Sequence, residues 1–222
     1  FIAMVIISQF MLTFGSDPNA KVTKKSKSPL SFHPIALIFG LLSFVSYLVE
    51  GAVGDWSALY LFEDKGIVIE EAVMGVMLFN GTMCIGRLLG NRLGKHLTSK
   101  QVVVGGYLLG SIAMGLIVFL PGHASMYTYL LLGISLAMIV PNLFSAMGEQ
   151  NVIPMTQAVA TSTMLGYMGI LMGPALIGFI AHGTSLTVAF IVLTTLLVVS
   201  AGIGKYAYHL MSKDCGLSEE QI

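Results

Sequence analysis

The chain has 222 residues, of which 55% are hydrophobic and only 10% are charged. Soluble domains carry about 25% charged residues, so this composition indicates an integral membrane protein. Eleven basic and eleven acidic residues give no formal net charge. The chain therefore lacks the excess of positive charge by which proteins bind nucleic acid, and this excludes nucleic acid as a partner on electrostatic grounds. The two cysteines, Cys84 and Cys215, lie in a predicted span and in a polar tail. They therefore indicate neither a disulfide framework nor a metal site.

The chain begins with an apolar stretch, residues 1–14, that is too short to cross a bilayer, because a crossing needs about 20 residues. It has neither the basic region nor the small-residue cleavage site of a signal peptide. We interpret it as the end of a transmembrane helix that begins outside this sequence. Residues 15–33 contain four lysines and two prolines, and we expect a flexible, basic linker there.

Six apolar segments follow, and each is long enough to span a membrane. Together, the linker, the loops on its side of the membrane and the tail would hold ten of the eleven basic residues. The loops on the other side would hold only Lys65. The positive-inside rule then predicts that the linker and the polar tail (residues 209–222) face the cytoplasm. The six-helix bundle is predicted over residues 34–208, with spans at 34–62, 71–90, 101–120, 125–147, 155–181 and 185–208.

The first full segment carries a polar stripe centred on Glu50. An ionisable residue inside a span costs at least ~2.5–3.5 kcal/mol, so it is rarely accidental. Ser43, Ser46, Gly54 and Ser57 fall on the same helical face as Glu50. A polar stripe cannot face hydrocarbon. We therefore predict that Ser46, Glu50 and Ser57 line a translocation pathway.

Two carboxylates in this segment are assigned different roles. Glu50 lies about 24 Å along the helix from its inner end, still within hydrocarbon depth, where it is a candidate proton acceptor or hydrogen-bond partner for substrate hydroxyls. The alternative is a structural carboxylate paired with a cation from outside this sequence. Asp55 and Trp56 lie about 7.5 Å further out, and we expect them to be interface anchors.

The second span ends in a basic, glycine-punctuated segment. Asn80, Cys84 and Arg87 share one helical face, and Asn80 is a further pathway candidate. By composition alone, the segment that follows would be a basic anchor at the end of the span. Its glycine spacing also resembles the signature loop G-x-x-x-D-R-x-G-R of the major facilitator superfamily, with Asn91 in place of the aspartate. The resemblance implies a conformational-gate loop made of Gly86, Arg87, Gly90, Asn91, Arg92, Gly94 and Lys95.

Three other stretches are similar to the bacterial, fucose-permease-like branch of that superfamily. Residues 50–57 resemble the seventh helix of this branch, Asn142 in PNLFSAMGE resembles the tenth, and residues 166–174 resemble the eleventh. The resemblance implies an all-α membrane protein, a six-helix bundle that forms the C-terminal half of a twelve-helix fold. Asn142 and Tyr167 are cavity candidates on this basis; the alternative for Asn142 is an interhelical hydrogen bond.

This resemblance also implies a function. We expect a proton-coupled secondary transporter of a small polar solute, such as a sugar, in a bacterial inner membrane, completed by an N-terminal six-helix half. No cofactor or metal is expected. The alternative is a self-contained six-helix channel or receptor that assembles as an oligomer. An enzyme is not expected, because the chain has no G-x-S-x-G or H-E-x-x-H motif and its five histidines lie at loops or helix ends.

Overall fold

The computed structural model describes residues 33–93, 97–150 and 152–215, except for the side chains of residues 91–93, 214 and 215. The predicted helix end at 1–14 and nearly all of the linker at 15–33 lie outside the described residues, as do Gly94 and Lys95. Within the described ranges the chain is helical and has no strand. The helices are α1 (Pro34–Glu63), α2 (Ile69–Leu93), α3 (Ser99–Phe119), α4 (Gly122–Ala137), α5 (Ile139–Glu149), α6 (Met155–Gly183) and α7 (Leu186–Cys215).

Six helical segments in the described part of the chain are long and apolar enough to cross a membrane, and α4 and α5 together make one of them. The predicted six-helix, all-α architecture is confirmed. The last helix is longer than expected, because α7 continues through Cys215 and takes in the first residues of the predicted tail. This stretch, residues 209–215, contains no glycine or proline that would stop a helix.

Helix α1 is the central element of the bundle. It packs most extensively against α6 and also contacts α2, α4, α5 and α7. The close approach to α6 depends on glycine, because a Cβ atom at Gly169 or Gly173 would overlap the backbone carbonyl of Phe44 or Leu48. Small residues at such positions let two backbones touch. Gly169 and Gly173 therefore serve close packing between α1 and α6.

The fourth span is interrupted where a proline removes a backbone donor. Helix α4 ends at Ala137, Met138 stands between the helices with φ −102° and ψ −6°, and α5 starts at Ile139. Pro141 has no N–H to bond the carbonyl four residues earlier, so a break just before it is expected. The single span predicted at 125–147 is thus broken into two helices. Helix α6, in contrast, continues through Pro174.

The connection between α1 and α2 is attached to the end of α3 by Lys65. Its ammonium Nζ donates hydrogen bonds to the carbonyl oxygens of Val118 at 2.6 Å and Leu120 at 2.9 Å. It also lies 5.4 Å from the centre of the Tyr60 ring. A cation at the C-terminal end of a helix satisfies free carbonyls and complements the helix dipole. Burial lowers the pKa of Lys65, and the neighbouring Asp64 carboxylate opposes that shift.

We expect Lys65→Met to lower the stability of the fold. The variant keeps the apolar stem but loses two charge-assisted hydrogen bonds, a loss of about 1.5–3 kcal/mol each in favourable cases. The thermal unfolding midpoint of the detergent-solubilised protein measures the effect. Glu63→Gln changes one charge on an exposed side chain close to the same connection and is the matched control. Equal midpoints for the two variants would contradict a structural role for Lys65.

Candidate transport site

An ion pair links the middle of α1 to α2. Arg87 Nη2 donates to the Glu50 carboxylate, at 3.2 Å from Oε2 and 3.4 Å from Oε1. The Glu50 side chain is 23% exposed and that of Arg87 is 45% exposed. The cation that faces Glu50 in this structure therefore comes from this chain, whereas the alternative reading of Glu50 placed it outside the sequence.

Arg87 reaches Glu50 because it lies inside a helix and not in a loop. Helix α2 continues through Leu93, so the first part of the predicted gate loop is helical, including Asn91 and Arg92. The glycines of this segment are packing positions: a Cβ atom at Gly86 would lie 2.6 Å from the Cβ of Ala137, and Gly90 faces Met138. Gly86 and Gly90 therefore form a contact surface for the fourth span. A gating role for this segment stays a prediction.

Two tyrosine rings lie beside the ion pair. Tyr47 of α1 and Tyr167 of α6 are stacked, with ring centres 6.3 Å apart and planes 9° from parallel. The Tyr47 hydroxyl is within electrostatic range of Glu50, Arg87 and Tyr167. Tyr167 is 62% exposed, so most of its ring is available to a partner or solute. We name these four residues the Glu50 cluster.

The depth of the Glu50–Arg87 pair in the span makes contact with lipid tails unfavourable for these two charges. Glu50 lies about 24 Å from the start of α1 and about 20 Å from its end, which places it near the middle of the span. Charged side chains at that depth face protein or a water-filled cavity. The partly exposed ion pair therefore marks the face of the bundle that is covered by protein or by water.

Three predicted pathway residues do not join the Glu50 cluster. Ser46 and Ser57 share the helical stripe, but they are only 3% and 0% exposed, inside the bundle next to Tyr107 and Tyr129 respectively. They pack the interior because helices cover that side of α1, and a pathway role for these two serines stays a prediction. Asn80 is exposed, and its side-chain amide donates to the Val76 carbonyl of its own helix at 3.0 Å.

Asn142 lies at the end of the bundle where α3 begins. Its Oδ1 accepts a hydrogen bond from the Ser99 hydroxyl at 3.5 Å, and its Nδ2 donates to the Met138 carbonyl at 2.8 Å. This is the interhelical hydrogen bond that the sequence analysis gave as the alternative for Asn142. The observed partners attach Asn142 to α3 and to its own span, not to the Glu50 cluster.

Trp56 and Asp55 also differ from each other in their surroundings. The Trp56 indole donates to the Pro174 carbonyl at 3.0 Å, so this side chain joins α1 to α6. A Cβ atom at Gly178 would lie 3.0 Å from the Trp56 ring, which explains why a glycine fits there. Asp55 is exposed. The role of both residues as interface anchors stays a prediction, and Trp56 has a protein partner in addition.

Tyr47 is the member of the Glu50 cluster that sequence reasoning missed. It stands three residues before Glu50, which puts both side chains on neighbouring positions of one helix face. A tyrosine inside an apolar helix is normally read as a packing residue. The helical spacing to Glu50 is the signal that could have identified it.

Six apolar spans with an ion pair at mid-depth define a polytopic integral membrane protein. No family model matches the chain. The chain is 41% identical over 168 residues to an uncharacterised MFS-type transporter of Yersinia pestis, covering 74% of this chain and 43% of that protein. It is 30% identical over 170 residues to the membrane protein MosC of Rhizobium meliloti, covering 75% of this chain and 42% of MosC.

The fold is similar to that of a solved transporter structure. The fucose:proton symporter FucP of Escherichia coli superposes with a TM-score of 0.76 at 15% identity, covering 93% of this chain and 53% of FucP. The chain belongs to the major facilitator superfamily, and the six spans of its described part are consistent with the C-terminal half of that fold. It spans only about two fifths of the length of the curated relatives it matches.

Proposed function

We propose that this chain forms half of a secondary transporter that moves a small polar solute across a bacterial inner membrane by alternating access, coupled to protons. The observation that carries the proposal is the Glu50–Arg87 ion pair, partly exposed at mid-depth. Two relatives support it by name, the MFS-type transporter of Yersinia pestis and the fucose:proton symporter FucP. A second six-helix half would cover the Glu50 cluster, with the linker and the C-terminal tail in the cytoplasm.

The ion pair can couple a proton to a conformational change. When ionised, the Glu50 carboxylate holds the Arg87 guanidinium by two contacts, at 3.2 and 3.4 Å. Protonation of Glu50 removes its charge and weakens this attraction, so Arg87 becomes available to another acceptor. A ligand that binds better to one of these two states shifts the equilibrium between them. Proton binding and solute binding are thereby linked at one place.

The chemistry of the Glu50 cluster favours a hydroxylated ring as the solute. Arg87 offers several N–H donors in a planar array, and Glu50 offers two acceptor oxygens, which together suit neighbouring hydroxyl groups. The exposed ring of Tyr167 offers an apolar face for the C–H side of a sugar, and its hydroxyl adds a polar group. We therefore propose a monosaccharide-sized polyol or sugar as the substrate class.

We expect Tyr167→Ala to weaken solute affinity by about 5- to 30-fold, the effect of losing 1–2 kcal/mol of ring contact. Tyr167→Phe keeps the ring and its stacking on Tyr47, so it should retain most of the affinity. The apparent KM of uptake into proteoliposomes measures both variants. An unchanged KM for Tyr167→Ala would exclude this ring from the solute site.

Uptake by the full-length protein in proteoliposomes tests the proposed function. A panel of radiolabelled sugars and polyols is offered with and without an inward proton gradient. Accumulation above the external concentration, abolished by a protonophore, is the expected result. Downhill solute flux that does not depend on the proton gradient would contradict proton coupling and would favour a channel. If no solute of the panel moved, the proposed substrate class would be rejected.

A further inference from the structure

A cavity of about 690 Å³ lies between α3 and α7. Its volume falls within the range of ~300–1,000 Å³ that is typical of ligand pockets. None of its described lining residues belongs to the Glu50 cluster. They are Thr98, Lys100, Gln101, Val104, Gly105, Leu108 and Lys205.

The cavity lining changes from basic to apolar along α3. Lys100 stands in the first turn of α3, and Lys205 of α7 also lines the cavity. Gly204, the neighbour of Lys205, packs against Val103 and Val104 near this end of α3. Leu108 lies about 12 Å further along the helix axis and is 48% exposed. None of the described lining residues is acidic. The cavity thus pairs two cations at one end with an apolar wall at the other.

The N-terminus of α3 adds positive potential at the basic end. Thr98 caps this helix: its hydroxyl accepts from the Gln101 backbone N–H at 3.3 Å, and the Gln101 side chain accepts from the Thr98 N–H at 3.1 Å. The helix therefore starts at a fixed place, directly before Lys100. A lysine in the first turn is electrostatically unfavourable, because it adds to the positive end of the helix dipole. The basic end of the cavity thus combines two lysines with the start of a capped helix.

The apolar end of the cavity lies on the outer surface of the bundle. Gly105 is exposed, and no atom lies within 4 Å of the place where its Cβ would be. The basic end belongs to the end of the bundle that the loop charges predict to face the cytoplasm, where anionic headgroups attract basic residues. A site that is basic at headgroup level and apolar at acyl-chain level matches a phospholipid better than a soluble anion.

We propose that this cavity binds an anionic phospholipid of the surrounding bilayer. Its phosphate would lie between Lys100 and Lys205, and an acyl chain would follow Val104, Gly105 and Leu108. The site is independent of the proposed transport reaction, since it shares no residue with the Glu50 cluster.

Native mass spectrometry of the full-length, detergent-solubilised protein tests the lipid site. The probe is a short-chain phosphatidylglycerol, compared with the matching phosphatidylcholine and with soluble glycerol 3-phosphate. We expect retention of phosphatidylglycerol only. The Lys100→Gln/Lys205→Gln double variant should bind it about 25-fold more weakly, at roughly fivefold for each lysine. Lys213→Gln, which removes an exposed lysine of α7 that does not line the cavity, should bind like the wild type.

A second variant tests the apolar half of the site without changing charge. Gly105→Leu places a side chain in the cavity, where space is free, and it should also reduce phosphatidylglycerol retention. It keeps the proposal testable if the double lysine variant does not fold. Equal retention of phosphatidylcholine, binding of glycerol 3-phosphate with similar affinity, or wild-type retention by a folded cavity variant would each overturn the proposal.

Discussion

Replacing Glu50 with glutamine is expected to reduce proton-driven solute accumulation to the level of protein-free vesicles, while the protein is still expressed and folded. Glutamine has almost the same shape and can still accept a hydrogen bond from Arg87. It carries no charge and takes up no proton, so the switch between a paired and a free Arg87 is lost. Uptake in proteoliposomes with an inward proton gradient measures the effect. Exchange of solute without a gradient should survive better than accumulation.

The matched control is Asp55→Asn, which makes the same chemical change five residues further along α1. Asp55 is exposed, and we assign it no part in the Glu50 cluster. It should accumulate solute at close to the wild-type rate. Proton-driven accumulation by Glu50→Gln at the wild-type level would remove Glu50 from the coupling mechanism. A variant with exchanged charges, Glu50→Arg with Arg87→Glu, separates the two roles, since it can restore a structural ion pair but not the original proton site.

The second large effect is expected at the glycines between α1 and α6. An alanine at Gly169 would put its Cβ against the Phe44 carbonyl, and neither helix backbone can yield locally. We expect Gly169→Ala to lower stability by about 1–3 kcal/mol, as overpacking of a filled interior does. The thermal unfolding midpoint in detergent measures the loss.

Gly202→Ala of α7 is the control for this prediction. No atom lies within 4 Å of the Cβ position at Gly202, and the residue is exposed. Alanine is favoured over glycine in a helix by about 1 kcal/mol, so this variant should be equally stable or more stable. The same substitution is thus expected to act in opposite directions at two helical sites. Similar midpoints for both variants would contradict the close packing of α1 on α6.

The number and type of the spans could be predicted from the sequence because bilayer thickness and hydrophobicity determine them together. Glu50 was identified for the same reason, since one carboxylate in an apolar run stands out. Its partner could not be identified in this way. Arg87 is 37 positions away and close to a helix end, where a basic residue is normally read as a membrane anchor.

The serines of α1 show where helical periodicity stops being informative. Periodicity groups Ser46 and Ser57 with Glu50 on one side of the helix, but it cannot say which part of that side another helix covers. Tyr107 and Tyr129 come from α3 and α4, so the burial of the two serines depends on tertiary packing. Lys65 illustrates the same limit, because its partners are backbone carbonyls of α3. Backbone acceptors leave no signature in a sequence.

The attachment of Lys65 also has a mechanical consequence. Only residues 64–68 separate α1 from α2, and the lysine in this short connection holds the last turn of α3. To separate α1 and α2 from α3 at this end, the protein would have to break two hydrogen bonds to buried or partly buried carbonyls. We therefore expect this end of the bundle to turn as one body in the proposed transport cycle, with bending confined to other parts of the helices. The break at Met138, between α4 and α5, is such a place.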